Sequence, residues 1–193
     1  MTGADLSLFP ILTTVRLTLR ELDAADAGDL LRFRGDPEVQ RFNTRPMSDI
    51  SEALALIDTL RKWYIAQRAI HWGITLTAQA DEHRVIGLCS LHGLNRQHRR
   101  AAIGYDLARE HWGQGIAFEA VRAVVAFGFE HLRLNRIEAV TVEDNYRSVD
   151  LLERLQFTRE GVRREHSLED DGRFHGSAIY GLLRREYLTR RQG

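Results

Sequence analysis

The chain has 193 residues, 44% hydrophobic and 28% charged, a composition that suits one soluble globular domain with a core of its own. Its 27 basic and 27 acidic side chains cancel, so composition offers no general attraction to nucleic acid or to an anionic membrane. The single cysteine, Cys89, excludes an intrachain disulfide, and no apolar run approaches bilayer-spanning length.

The first residues, MTGADLSLFPIL, lack the basic start and long apolar stretch of a secretory signal. They are read as an extension over residues 1–13 of a single domain spanning 1–193, and the cytoplasm is the expected compartment. Residues 15–22 alternate Val15, Leu17 and Leu19 with polar side chains, as a half-buried strand does. Residues 23–36 read as a short helix closed by Gly35 and Pro37. Ser51 is the expected cap of a helix over 52–67, with Leu54, Ile57, Tyr64 and Ile65 near helical spacing. Two strands follow at 70–77 and 84–93, joined as a hairpin by the turn-forming residues 78–83. Cys89 falls inside the apolar run of the second strand and is read as core rather than nucleophile.

A further strand is expected at 101–108 and a long helix over about 116–131, with Ala117, Val121, Val124, Val125 and Leu132 near one face. Residues 136–143 are β-branched enough for a strand, and 145–155 read as a short helix. The chain then closes with a hairpin, 157–168 and 177–183, turned at 169–172. No repeat or linker interrupts this order. The sum is an α/β domain: a mainly antiparallel sheet with a strand–helix–strand unit in its second half. The eight histidines include no H-E-x-x-H or equivalent spacing, so no metal site is expected. The arginine-rich runs at 96–100 and 188–193 read as solvated faces.

Chemistry is concentrated in residues 111–120, HWGQGIAFEA, where Gly113, Gly115 and Ala117 alternate ahead of the long helix. A Walker loop would require a G-K-[ST] ending that the chain lacks. A dinucleotide fingerprint would need a small residue where Phe118 stands, although Glu138 does lie about twenty residues further on. Two readings remain open on spacing alone. The small residues can let consecutive N–H groups of Gly113, Gln114, Gly115, Ile116, Ala117 and Phe118 converge on one pyrophosphate at the helix N-terminus. Or they can simply permit close packing of helix against sheet.

The segments around the loop favour the first. IGYDL before it, NRIEAVTVEDNYRS after the helix, and LERLQFTREG beyond resemble the GNAT superfamily of acyl-CoA-dependent N-acyltransferases, in its RimJ/RimL-like branch. The resemblance extends over roughly residues 14–187. It implies a mainly antiparallel sheet of about seven strands with about four helices and a splayed central strand pair. The family's phosphate-binding pattern Q/R-x-x-G-x-G/A falls on residues 112–117, with Trp112 in place of the usual Gln or Arg. The strand carrying Tyr105, Asp106 and Leu107 would part from the strand at 137–142 and hold the pantetheine arm of acetyl-CoA. Asn145 and Ser148 match the branch's N-x-x-S, a pattern that plain helix capping would also satisfy.

What the resemblance implies chemically is direct attack of a neutral amine on the thioester of acetyl-CoA. Such a site needs an oxyanion donor, a path for the amine proton and a donor for the departing thiolate. Many relatives carry a tyrosine for the last task where this chain has Leu152, so Ser148 is the best remaining hydroxyl. Gln156 stands where the family usually has glycine, and Ala102 where many relatives have an acid. Glu138, His71 and His175 are candidate bases by location, and a water relay serves equally. An α-amine, of pKa about 8, needs less help than lysine at about 10.4. The expected acceptor is therefore a protein or peptide N-terminus. Aminoglycosides, polyamines, a non-catalytic CoA-binding sensor and a nucleotide-binding oxidoreductase stand as alternatives. Monomer and homodimer both remain open.

Overall fold

Leu17 and Leu19 are fully buried while Thr18 and Arg20 are only partly so, the two-residue alternation of a strand with one covered face. This is the second strand of a computed structural model that describes residues 6–77, 83–169 and 172–190. The strands are β1 (Leu12–Thr13), β2 (Leu17–Arg20), β3 (Ile70–Leu76), β4 (Gly87–Asn95), β5 (Arg100–Leu107), β6 (Arg136–Val142), β7 (Thr158–Leu168) and β8 (Phe174–Leu183). They form one sheet in the order β1-β2-β3-β4-β5-β6-β8-β7. Every neighbouring pair is antiparallel except β5 with β6. The helices are α1 (Ala27–Arg34), α2 (Pro37–Gln40), α3 (Ile50–Ile65), α4 (Ile116–Glu130), α5 (Tyr146–Arg154) and α6 (Arg184–Arg190).

The α/β class and the mainly antiparallel sheet are as expected. The described residues hold eight strands and six helices, one strand and two helices more than expected, because β1, α2 and α6 are too short to show a clear period in sequence. Residues 6–13 are not a loose extension. Leu6 is buried, Tyr64 donates to its carbonyl at 2.9 Å, and the Trp72 indole donates to Pro10 at 2.7 Å.

Two side-chain placements correct the reading from sequence. Val15 is 93% exposed, because residues 14–17 form the turn between β1 and β2, closed by Thr14 N–H to Leu17 C=O at 2.9 Å. Asp49, not Ser51, caps α3: its carboxylate accepts from the N–H groups of Ser51 and Glu52. The buried face of α3 accordingly runs through Ala53, Ile57 and Leu60, leaving Leu54 and Ile65 exposed. The turns expected at 78–83 and 169–172 lie largely outside the described residues, as does the 188–193 run from 191 onward.

Strand alternation divides the core in two. Ile70, Trp72, Cys89, Leu91 and Ile103 face α4, whose Ala120, Val121 and Val124 are completely buried. Gly128 permits a close approach of α4 to the sheet, with Ile137 Cδ1 only 2.9 Å from where a Cβ would stand. On the opposite face Leu88 packs with Leu30, Phe33 and Ile57 beneath α1 and α3. Cys89 is fully buried and burial pushes its thiol up, so it is a core residue. No helix among the described residues is long and apolar enough to cross a membrane.

Candidate active site

The sheet opens at its centre. β5 pairs with β6 only at Arg100, Ala101 and Ala102, opposite Arg136, Ile137 and Glu138. From Ile103 onward β5 keeps β4 as its neighbour and has no ladder to β6, which continues against β8 through Val142. This is the parting expected between 103–107 and 137–142, and it exposes strand backbone that a sheet interior would otherwise pair.

At the end of β5 the chain turns through residues 108–115 into α4. Gly113 and Gly115 have φ of +71° and +74°, a left-handed conformation that glycine adopts without strain. Gly115 is the N-cap and supplies no side chain, so no side-chain cap bond closes the helix start. The first intrahelical bond runs from Glu119 N–H to Gly115 C=O at 3.1 Å, leaving the N–H groups of Ile116, Ala117 and Phe118 ahead of the ladder. Gly113, Gln114 and Gly115 are exposed. A Cβ at Gly115 would meet only Arg16 Nη2 at 3.6 Å, so this glycine answers to backbone conformation rather than to helix–sheet packing.

The loop is fastened from several sides. The Trp112 indole donates to Leu107 C=O at 2.7 Å. Gln114 donates its amide to Glu110 C=O at 2.8 Å, and its own carbonyl accepts from Arg16 at 3.0 Å. Glu119 receives Thr14 Oγ1 at 2.6 Å and Arg16 Nε at 2.7 Å. Burial pushes this carboxyl up, but the bonds from Thr14 and Arg16 outweigh it and hold it below its usual range. Arginines from α5 and α4 gather over the loop's aromatic rings: Arg147 lies 4.3 Å from the Trp112 centroid, while Arg154 and Arg122 lie 5.1 and 5.9 Å from that of Phe118. An uncapped helix start ringed by cations is an anion-binding environment.

Across the gap, Asn145 caps α5, its side-chain oxygen accepting from Ser148 N–H at 3.2 Å. Ser148 Oγ in turn lies 2.7 Å from the Tyr105 hydroxyl. Burial raises the Tyr105 phenol well above its ordinary range, with the bond to Ser148 opposing that shift, so the phenol stays protonated. Leu152 is sealed in the core at 1% exposure, too deep to approach a substrate. Gln156 adopts the left-handed conformation its glycine counterparts favour, with φ +64°, and Phe157 N–H closes the helix end onto Leu152 C=O at 2.9 Å.

A cavity of about 640 Å³ lies on the α1–α3 side of the sheet, lined among others by His71, Ser90, His92, Gly104, Tyr105 and Asp106. Its volume falls in the range of small-molecule sites. Tyr105 thus borders the cavity while bonding Ser148. The Asp106 side chain lines this cavity, where Arg34 holds its carboxylate at 2.7 Å. Burial, with His92 and Arg34 adding to it, lowers His71 to about 4, and its Nδ1 is buried without a hydrogen-bond partner. Burial also lowers His92.

Two of the three base candidates are poorly suited to the task. His71 is too weak, and Glu138, although paired in register with Ala102, divides its oxygens between Arg100 and Arg136. His175 Nδ1 sits 2.6 Å from Asp144. The arginines around the loop and the Tyr105–Ser148 contact escaped the reading from sequence. The latter spans 43 residues, beyond any local spacing.

Residues 16–158 match the family profile described as an Acetyltransferase (GNAT) domain. The chain belongs to this family and is an acyl-CoA-dependent N-acetyltransferase. It is 39% identical over 177 residues to an uncharacterised N-acetyltransferase, p20, of Bacillus licheniformis, covering 91% of this chain and 97% of that one. It is 27% identical to the [ribosomal protein uS5]-alanine N-acetyltransferase of Escherichia coli, over 82% of this chain and 84% of that protein. It is also 26% identical to a spermidine N(1)-acetyltransferase of Vibrio cholerae, over 91% of this chain and 97% of that protein. RimL, described as a ribosomal L7/L12 alpha-N-protein acetyltransferase and solved with coenzyme A, shares the fold with TM-score 0.81 at 20% identity, over 90% of this chain and 98% of that one.

Proposed function

We propose that the chain transfers an acetyl group from acetyl-CoA to the α-amine of a protein or peptide N-terminus. The observation that carries this reading is the gap between β5 and β6, where Tyr105 lines the cavity from β5 while its ring, on the α4 face with its register partner Cys89, meets the hydroxyl of Ser148. Acetyl-CoA would lie in the gap between β5 and β6. Its pyrophosphate would rest on the N–H groups of residues 113–118, with Arg122, Arg147 and Arg154 nearby to balance its charge. The acceptor would enter through the cavity.

The chemistry then follows from charge. A neutral amine attacks the thioester carbonyl; the C–N bond forms, the C–S bond breaks, and the proton that nitrogen sheds passes through solvent water to the sulfur. Tyr105 keeps its own proton and donates to Ser148 Oγ, which turns the serine's proton toward the departing thiolate. Asn145 fixes the start of α5 and with it the position of Ser148.

The acceptor reading draws on the weakness of His71 as a base and on the arginine pairing of Glu138. At pH 7 an α-amine of pKa about 8 is already partly neutral, whereas lysine at about 10.4 costs roughly 3 kcal/mol more to deprotonate. The relationship to a ribosomal-protein alanine N-acetyltransferase points the same way. The relationship to a spermidine N(1)-acetyltransferase supports a second reading, a polyamine acceptor. Two matched peptides separate α-amine from lysine chemistry, one with a free N-terminus and blocked lysine, the other reversed. The α-amine peptide should be acetylated faster at pH 7. Faster acetylation of the lysine peptide, or of spermidine over both, would overturn the assignment.

A further inference from the structure

The cavity carries an unbalanced charge. Asp106 is the only carboxylate among its described lining residues, and Arg34 takes that carboxylate through both Nε and Nη2. Arg68 also lines the cavity, is exposed, and makes no side-chain hydrogen bond or ion pair among the described residues. His71 and His92 are neutral at physiological pH because burial disfavours their cations. Asn43 and Thr44 complete a polar side without adding charge. One positive charge therefore faces whatever enters.

We infer that the preferred acceptor is an N-terminal peptide with an acidic side chain in its first few residues, and that Arg68 selects it. The inference rests on the cavity being the acceptor site of the proposed reaction. A polyamine or basic peptide would bring further positive charge to a wall whose one carboxylate is already matched, and like charges brought together are repelled. An acidic side chain instead finds Arg68 unpaired.

The test compares kcat/KM for three peptides with free N-termini and no lysine, beginning Ser-Glu-Glu, Ser-Gln-Gln and Ser-Arg-Arg, beside spermidine and free glutamate. Wild-type protein, Arg68→Gln and Arg68→Glu are assayed together, with thermal melts to verify folding. Wild type should prefer the Glu peptide to the Arg peptide by about tenfold, the sum of an attraction gained and a repulsion avoided at an exposed charge. Arg68→Gln should flatten the order and Arg68→Glu reverse it. Equal rates for all three peptides, or an order that survives Arg68→Glu, would overturn the selection by charge while leaving the N-terminal reading intact. Spermidine acetylated faster than every peptide would overturn that reading, and this inference with it. Free glutamate faster than the Glu peptide would uphold the charge preference but overturn a peptide as its source.

Discussion

The contact between Tyr105 and Ser148 makes a quantitative claim. Tyr105→Phe removes one hydroxyl from a largely buried site and leaves Ser148 Oγ without the hydroxyl partner now 2.7 Å away. A neutral hydrogen bond of this kind has a net worth of about 1 kcal/mol. If that interaction strengthens as charge develops on sulfur, kcat falls by roughly five- to tenfold. Ser148→Ala removes the donor itself and should lower kcat by about ten- to a thousandfold, the lower span of acid–base effects. Because Tyr105 acts through Ser148, the double variant should be no slower than Ser148→Ala alone. The coupling would then equal the whole effect of Tyr105→Phe, about 1 kcal/mol. Thiol release at saturating acetyl-CoA with a free-N-terminus peptide gives kcat for all four proteins, and the KM for acetyl-CoA should stay within about twofold if neither hydroxyl is needed for binding. Multiplying losses in the double variant would show that the two hydroxyls act independently. Full activity in Ser148→Ala would remove the serine from the reaction altogether.

Two other perturbations test the loop and the cavity. Gly115→Val forces a β-branched residue to φ +74°, at a cost of about 1–2 kcal/mol or more, although the Cβ itself meets nothing closer than 3.6 Å. Relaxing that strain should turn the helix-start N–H groups away, weakening CoA binding in calorimetry by about tenfold or more while the protein still folds; unchanged affinity would argue against this loop as the pyrophosphate site. His71 titrates at about 4 in the folded protein against an ordinary 6.5, so between those values the unfolded chain binds a proton that the folded chain refuses. Its contribution is complete above pH about 6.5 and declines as pH falls toward 4, by at most about 3 kcal/mol. Denaturant melts of wild type and His71→Asn at pH 7 and 4.5 should show a shallower acid loss in the variant, and equal losses would refute the assignment.

Some of this protein is written within a few residues. Leu17 and Leu19 announce their covered face by period two, the apolar stripe of α4 by period 3.6, and Gly113 and Gly115 mark left-handed backbone that other residues resist. Asn145 is recognisable as a cap because its acceptor needs only an N–H three residues on. Local competition already blurs such signals: Asp49 takes the cap that Ser51 could have supplied, and the turn at residues 14–17 carries Val15 out of its strand's alternation. The candidate site goes further beyond local rules. Tyr105 meets Ser148 only because β5 leaves β6 after three paired residues, and Arg34 reaches Asp106 across 72 positions of chain. The arginines of α5 come over Trp112 and Phe118 across 35 and 36 positions of chain. Periodicity reports which side of an element is apolar; which polar groups then meet across the sheet is decided by register and strand divergence, quantities that belong to the assembled fold.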